Sequence, residues 1–412
     1  MKNISLTSLI VLIVFLLNGC GGGGGGSTSA TIISGAAIKV KNLNFDYQKN
    51  VVSNYAVGDL NGDGLDDVVI GGWSGGTNYI TILIQNSDGT LSDRTLELLV
   101  SNQYPGSAHI IIVDFDHDGH ADIWLPGADD WVASVPSVML WGGTSGKFIR
   151  QTVDSGISSK GACIADLNQD GNIDLLVMGV YDQQVNTYGY YLNNGNRSFS
   201  PLVPNQYING ASACAVARDN GSKHFAILQA GTNQLLGYKD TISIVDSNLN
   251  LIKQIGLPPP ISPANLAGIT TALAVDVNGD DLLDFVITYE SWSYGGVGRK
   301  DVWLNRGNDN FEFGFTIDLN PVVLDSSTFT FNQIIYINFN GGNLDNNLYQ
   351  VINGQFIPYK KDRFLSLAKS VGAEPNATGG KSSIWSSVVY KGPDGLYILE
   401  DLRPIGLHTG KL

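Results

Sequence analysis

Short apolar runs recur along the chain, each interrupted by a cluster of Gly, Asn and Asp. In "NYAVGDLNGDGLDDVVIGG", which begins at Asn54, the run NYAV enters an acidic stretch and VVIGG leaves it. "HIIIVDFDHDGHADIWLPG", from His109, is built the same way. Runs of this kind, rich in β-branched and aromatic residues and bounded by turn formers, read as strands joined by tight hairpins. A second pair of runs follows within each unit, as in "ITILIQNSDGTLSDRTLEL", "YYLNNGNRSFSPL" and "VWLNRGNDNFEFGF". Each unit is therefore four strands: inner strand, acidic turn, second strand, loop, third strand, turn and outer strand.

The acidic turn is the clearest repeat. Its four strong copies run Asp59–Asp67, Asp114–Asp122, Asp166–Asp174 and Asp276–Asp284, with starts 55, 52 and 110 residues apart. The last gap is double, so it hides a copy: "ACAVARDNGSKHFAILQA" from Ala213 keeps the apolar flanks and has lost the acids. Two weaker echoes, "IIYINFNGGNLDNN" from Ile334 and "SVVYKGPDGLYIL" from Ser387, complete seven units. A four-stranded unit cannot bury both faces of its own sheet, and stacking such units in a ring does so. The expected fold is all-β, a seven-bladed β-propeller of four-stranded blades. Counts of six or eight are also compatible, because the sixth unit is irregular and its stretch "DRFLSLAKSVGAEPNATGG" has no counterpart elsewhere. The seventh unit is too short for a full second hairpin, and "AIKVKNLNFDY", before the first unit, is expected to supply its missing outer strand.

Within each strong copy, side-chain oxygens fall at positions 1, 3, 5 and 9, with a residue fit for a sharp bend at position 6. Calcium takes many oxygen ligands in a flexible shell, and such a turn can wrap one ion. The repeat resembles the FG-GAP/VCBS-type repeats of the integrin α-subunit propeller and of bacterial surface proteins, over residues 38–412. The resemblance adds a backbone carbonyl at position 7. The candidate ligands are Asp59, Asn61, Asp63, Leu65 and Asp67; Asp114, Asp116, Asp118, His120 and Asp122; Asp166, Asn168, Asp170, Asn172 and Asp174; and Asp276, Asn278, Asp280, Leu282 and Asp284. Leu65, His120, Asn172 and Leu282 would act through their carbonyls. In the fourth copy Asp281 stands where the others have glycine, and aspartate tolerates the left-handed backbone better than most residues. About four structural Ca²⁺ ions are expected. Magnesium, which keeps its waters, fits such an all-protein cage less well.

Composition narrows the partners. The formal net charge is −14 over 412 residues, which argues against nucleic acid as partner, since nucleic acid selects basic patches. The N-terminus carries Lys2, the apolar run "LIVLIVFLL" and then "LNGC", a pattern of export. It resembles the lipobox of bacterial lipoproteins, in which Cys20 would be lipidated. That resemblance implies a signal peptide over 1–19, a Gly/Ser-rich tether over 20–37 and the propeller over 38–412. Gly21, rather than Asp, implies the outer membrane of a Gram-negative bacterium, with the chain facing periplasm or exterior. Cys163 and Cys214 both sit three residues before position 1 of their units, and equivalent points on neighbouring blades are expected to lie beyond disulfide reach, leaving two buried thiols.

Catalytic signals are weak. "GWSGG" places Ser74 in a nucleophile-elbow pattern, but an apolar strand-like run follows where a helix is needed. His109, His117, His120, His224 and His408 form no ligand spacing, and His117 and His120 are expected to point away from their loop's ion. The loops after the second strands carry Trp73, Trp131, Tyr181, Trp292 and Tyr294, a candidate face for a sugar or a protein. The expected role is adhesion or ligand recognition at the cell envelope. The alternatives are an envelope enzyme acting on polysaccharide and a scaffold subunit of an envelope complex.

Overall fold

The computed structural model describes residues 38–43, 54–71, 78–107, 109–128, 135–154, 159–179, 189–205, 213–218, 223–230, 240–257, 267–291, 299–317, 328–331, 334–337, 348–352, 355–358, 383–403 and 406–411. All of them belong to one compact unit, Ser34–Leu412. The fold is all-β and propeller-like, with seven four-stranded antiparallel sheets among the described residues.

The first sheet is Asn54–Gly58, Asp67–Gly71, Thr81–Gln85 and Leu91–Asp93. The second is Ile111–Val113, Asp122–Leu125, Val138–Trp141 and Ile149–Thr152. The third is Ser159–Ala165, Asp174–Gly179, Gly189–Tyr191 and Val203–Pro204. The fourth, whose loop lost its acids, still forms Ala213–Ala217, Phe225–Ala230, Thr241–Val245 and Leu251–Gly256. The fifth is Ala267–Val275, Asp284–Ser291, Arg299–Asn305 and Phe311–Ile317. In these five sheets the order in space is the order in the chain, as hairpin after hairpin requires.

Burial explains why the middle strands lack polar alternation. Asp67–Gly71, Asp122–Leu125, Val138–Trp141 and Thr241–Val245 are buried at every residue, because a neighbouring sheet covers each face. The outer strand Ile149–Thr152 is mostly exposed and carries Arg150 and Gln151. The core is a series of slabs between sheets. Val69, Ile82, Ile123 and Leu140 join the first sheet to the second. Trp124, Trp141, Leu175 and Val177 join the second to the third. Leu228, Ile242, Phe285 and Trp303 join the fourth to the fifth.

The slab between the third and fourth sheets contains a correction to the sequence reading. Cys163 and Cys214 form a disulfide, with Cα atoms 5.5 Å apart. The innermost strands of these two sheets lie side by side, so equivalent positions come within bridging distance rather than beyond it.

The seventh sheet is Ser383–Gly392, Gly395–Arg403 and Gly406–Lys411, with Ile38–Lys39 as its fourth strand. Ile38 faces Thr409 and Lys39 faces His408, the pairing expected for the segment that precedes the first unit. The same segment continues to the first sheet: Val40 N–H donates to Leu407 O, while Lys41 N–H donates to Leu91 O and Asp93 N–H to Lys41 O. Val40 is buried with Val68, Leu83, Tyr390 and Leu407.

Two elements differ from expectation. In the sixth sheet Ile334–Ile337 is the second strand, between Thr328–Phe331 and Leu348–Ile352, with Gln355–Pro358 outermost. It is not the inner strand that its likeness to the other units suggested. In the first sheet the outer strand stops at Asp93 and the chain turns into the short helix Thr95–Leu98. Asp93 Oδ1 accepts from Thr95 N–H at 3.0 Å, and Thr95 Oγ1 in turn accepts from Ile82 N–H at 2.9 Å. These bonds spend the ladder on side chains instead of a longer strand. The stretch "DRFLSLAKSVGAEPNATGG" lies outside the described residues.

Two stability outcomes follow from this packing. Replacing both Cys163 and Cys214 with Ala should cost roughly 2–4 kcal/mol, read from denaturant unfolding, since the bridge closes a separation of 51 residues. Equal stability of wild type and variant would show that the bridge contributes nothing. Val40→Ala should cost about 2 kcal/mol from lost methyl burial and the space left behind, and a neutral result would mean that the first segment does not hold the first and seventh sheets together.

Candidate metal-binding loops

The four acidic turns share one hydrogen-bond scheme, built from the position-9 aspartate outward. Asp67, Asp122, Asp174 and Asp284 each open a second strand and are fully buried, at 0% exposure. One oxygen of each accepts from the N–H of loop position 2: Leu60 at 2.9 Å, Phe115 at 2.8 Å, Leu167 at 2.8 Å and Val277 at 3.0 Å. The other accepts from an N–H at the end of the third strand: Gln85 at 2.8 Å, Gly142 at 2.7 Å, Asn193 at 2.8 Å and Asn305 at 2.8 Å. One carboxylate thus ties the acidic hairpin to the neighbouring strand. The sequence reading gave position 9 only the role of a ligand.

Inside each turn the acids at positions 1, 3 and 5 gather the loop's own amides. Asp59 accepts from Gly62, Asp63 and Gly64 N–H at 2.7, 3.1 and 2.7 Å. Asn61 Oδ1 accepts from Asp63 N–H at 2.9 Å, and Asp63 Oδ1 from Leu65 N–H at 2.8 Å. The position-5 to position-7 bond recurs at His120, Asn172 and Leu282, which anchors the residues whose carbonyls were expected to face an ion. The backbone that allows this is left-handed at position 6 in all four copies, including Asp281 at φ 66°, as its side chain permits. It is also left-handed at position 4, where His117 and Gln169 adopt it at φ 58° and 62°. The His117 ring points away from its own loop, its Nε2 lying 2.9 Å from Gly171 O of the third loop.

The donor set fits a hard divalent cation. Carboxylate oxygens of Asp114, Asp116 and Asp122 lie within 4.8 Å of one another. A point between three such oxygens is at most about 2.8 Å from each, a short relaxation away from the 2.3–2.6 Å that calcium prefers. The position-9 carboxylates keep lone pairs beyond their two backbone bonds. Three of the four loops have Asn at position 3, and its Nδ2 donates to the position-5 carboxylate: Asn61 to Asp63 at 3.0 Å, Asn168 to Asp170 at 2.9 Å and Asn278 to Asp280 at 3.0 Å.

The loops are also met from the next sheet, at the tip of its second hairpin. Arg197 pairs with Asp116 and Asp118 of the second loop. Asp309 pairs with His224, which lies in the acid-poor fourth loop, at 2.7 Å. Sequence reading missed Arg197. The usable signal is the shared register of "NNGNRSF" and "NRGNDNF", which puts a basic residue where the fifth unit has an acid.

Cys20 and the aromatic candidates Trp73, Trp131, Tyr181, Trp292 and Tyr294 lie outside the described residues, as does Ser74. In chain order each aromatic candidate follows a second strand whose first residue closes an acidic turn. No helix among the described residues is long and apolar enough to cross a membrane.

Comparison with known proteins agrees with the repeat. Residues 59–125 match the FG-GAP-like repeat, so the chain carries that repeat across its first two acidic turns. No curated protein matches the chain. Among solved structures it is similar to the periplasmic gluconolactonase PpgL of Pseudomonas aeruginosa, at 9% identity and a TM-score of 0.45, over 70% of this chain and 80% of that one. It is also similar to a Dyadobacter fermentans protein of unknown function, at 10% identity and a TM-score of 0.38, over 91% of this chain and 96% of that one.

The buried aspartates have a consequence for pH. Burial pushes Asp67 up to about 7 and Asp122, Asp174 and Asp284 up to about 6; their backbone N–H bonds pull downward and the other loop carboxylates add to the rise. An acid with a raised folded pKa holds more protons folded than unfolded. Its stabilising contribution is complete below about pH 4 and is lost as pH rises through about 6 to 7. In chelator, the melting temperature should therefore fall from about pH 5 to about pH 8. Asp67→Asn should lower the whole curve and flatten its upper part, and an unchanged slope in that variant would contradict the assignment.

Proposed function

We propose that this chain is a calcium-stabilised β-propeller of seven blades, displayed as an outer-membrane lipoprotein and used for adhesion or ligand recognition. The observation that carries the calcium reading is the fourfold recurrence of one oxygen-rich turn around a fully buried aspartate. The residues that would hold each ion are those at positions 1, 3, 5 and 9, with the position-7 carbonyl. Calcium, when bound, supplies the positive charge that three or four crowded carboxylates lack, and so favours their ionised state. Its role in this reading is to brace the hairpins; no group in the loops is asked to do chemistry.

Export and anchoring rest on the leader and on Cys20, followed by a glycine-rich tether that would hold the propeller away from the bilayer. Recognition rests on Trp73, Trp131, Tyr181, Trp292 and Tyr294, which in chain order follow the second strands that the acidic turns precede. Aromatic side chains on a rigid frame offer large contact area to a sugar ring or a protein at small entropic cost.

Two measurements test this reading. Melting in chelator should lie at least about 10 °C below melting in millimolar calcium, since each saturated site adds a few kcal/mol. Coincident curves, with no calcium in the protein by elemental analysis, would remove the ions from the account. Capture of envelope glycans or proteins should be lost in Trp73→Ala and Trp292→Ala at unchanged melting temperature, and undiminished capture would move the ligand face elsewhere.

A further inference from the structure

The second acidic loop differs from the other three at one residue type and one contact. Position 3 is Asp116, not asparagine, so this loop has a fourth ligand carboxylate. In the other loops the asparagine amide holds the position-5 carboxylate. Here that task falls to a side chain from the next sheet. Arg197 Nε donates to Asp116 Oδ2 at 2.5 Å, and Nη2 donates to Asp118 Oδ2 at 3.0 Å and to Gly142 O at 2.9 Å. The guanidinium lies over the Trp141 ring, 5.5 Å from its centroid, and Trp141 stacks on Phe199 two residues beyond it. The fork is thus held on both sides, by an aromatic face and by three acceptors. The Asp116 side chain is only 8% exposed, so its charge has little access to water and depends on that partner.

We infer that Arg197 is a built-in counter-ion that braces the second loop without metal and makes it the weakest of the four calcium sites. This inference rests on the calcium reading of the loops. Asp116 Oδ1 is engaged by Asp118 N–H and Oδ2 by Arg197, while Asp118 is held by His120 N–H and Arg197. A divalent ion entering this loop meets a positive charge already seated on two of its ligands. It must share them or turn the guanidinium away from Trp141. Giving up one charge-assisted hydrogen bond weakens binding by roughly tenfold or more. Among the described residues no hydrogen bond brings such a charge to the other three loops, so their need for the ion is greater.

The test is a calorimetric calcium titration of the full chain, paired with melting curves in calcium and in chelator. Wild type should show one class of site at least about tenfold weaker than the rest. Arg197→Met, which keeps bulk over Trp141, should tighten that class, and adding Asp114→Asn should abolish it. Asp116→Asn, which removes one ligand carboxylate and leaves Arg197 on Asp118, should weaken the second site further. Arg197→Met should also lower melting in chelator while enlarging the gain from calcium; a merely structural role would lower both curves alike. Unchanged or weaker binding in Arg197→Met, or tighter binding in Asp116→Asn, with calcium still bound elsewhere, overturns the inference alone. No calcium uptake by any form, wild type included, overturns the calcium reading and this inference with it.

Discussion

A buried aspartate that accepts one backbone N–H from its own turn and one from the end of the third strand is the contact on which four of the seven sheets described depend. Asp67, Asp122, Asp174 and Asp284 each occupy the first residue of a second strand, where no water reaches them. Each fixes the curl of its own hairpin through position 2 and the end of the third strand through its other oxygen. The sheet is therefore braced at the end where its hairpins cluster, in the place where a buried charge is costly unless hydrogen-bonded or paired. In the second loop Asp114 and Asp116 stand with that carboxylate at ligand spacing. In these four units the loop shape and the demand for a positive charge follow from that aspartate, whereas the fourth sheet, with Phe225 at the same place, keeps its strands without it.

Neighbouring units are coupled by what their hairpin tips offer. Where a loop has a surplus acid, at Asp116, the next sheet's tip presents Arg197; where a loop has lost its acids and carries His224, the next tip presents Asp309. The two tips hold the same place in their hairpins, where one carries Arg197 and the other Asp309. The first and seventh sheets are coupled differently, through main chain: Lys391 N–H reaches Asp66 Oδ2 at 2.7 Å, and Gln85 Nε2 reaches Lys391 O at 2.8 Å.

Much of this was legible in the sequence because it is local and periodic. The acidic register, the flanking strands and the left-handed bend at Gly64, Gly119, Gly171 and Asp281 lie within a few residues of one another. The outer strand supplied by Ile38–Lys39 was readable as a missing complement to a short last unit. What escaped depends on distance across the fold. The Cys163–Cys214 bridge needs the spacing of two inner strands, which no single unit encodes. Arg197 and Asp116 are far apart in sequence and meet only through packing. The sixth sheet misled because Ile334–Ile337 is apolar in either register, and without acids nothing pins which strand it is. Asp93 and Thr95 ended a strand early through side-chain bonds that a pattern of apolar residues does not display.

In the proposed reading the four acidic turns are calcium sites organised by a buried aspartate. X-ray diffraction from crystals grown in calcium, with anomalous scattering used to locate the metal, tests it most directly. A peak is expected in each of the four loops, ringed by the oxygens of positions 1, 3, 5, 7 and 9. Loops that show no anomalous peak in saturating calcium, and that keep their amides on the same carboxylates, would contradict it.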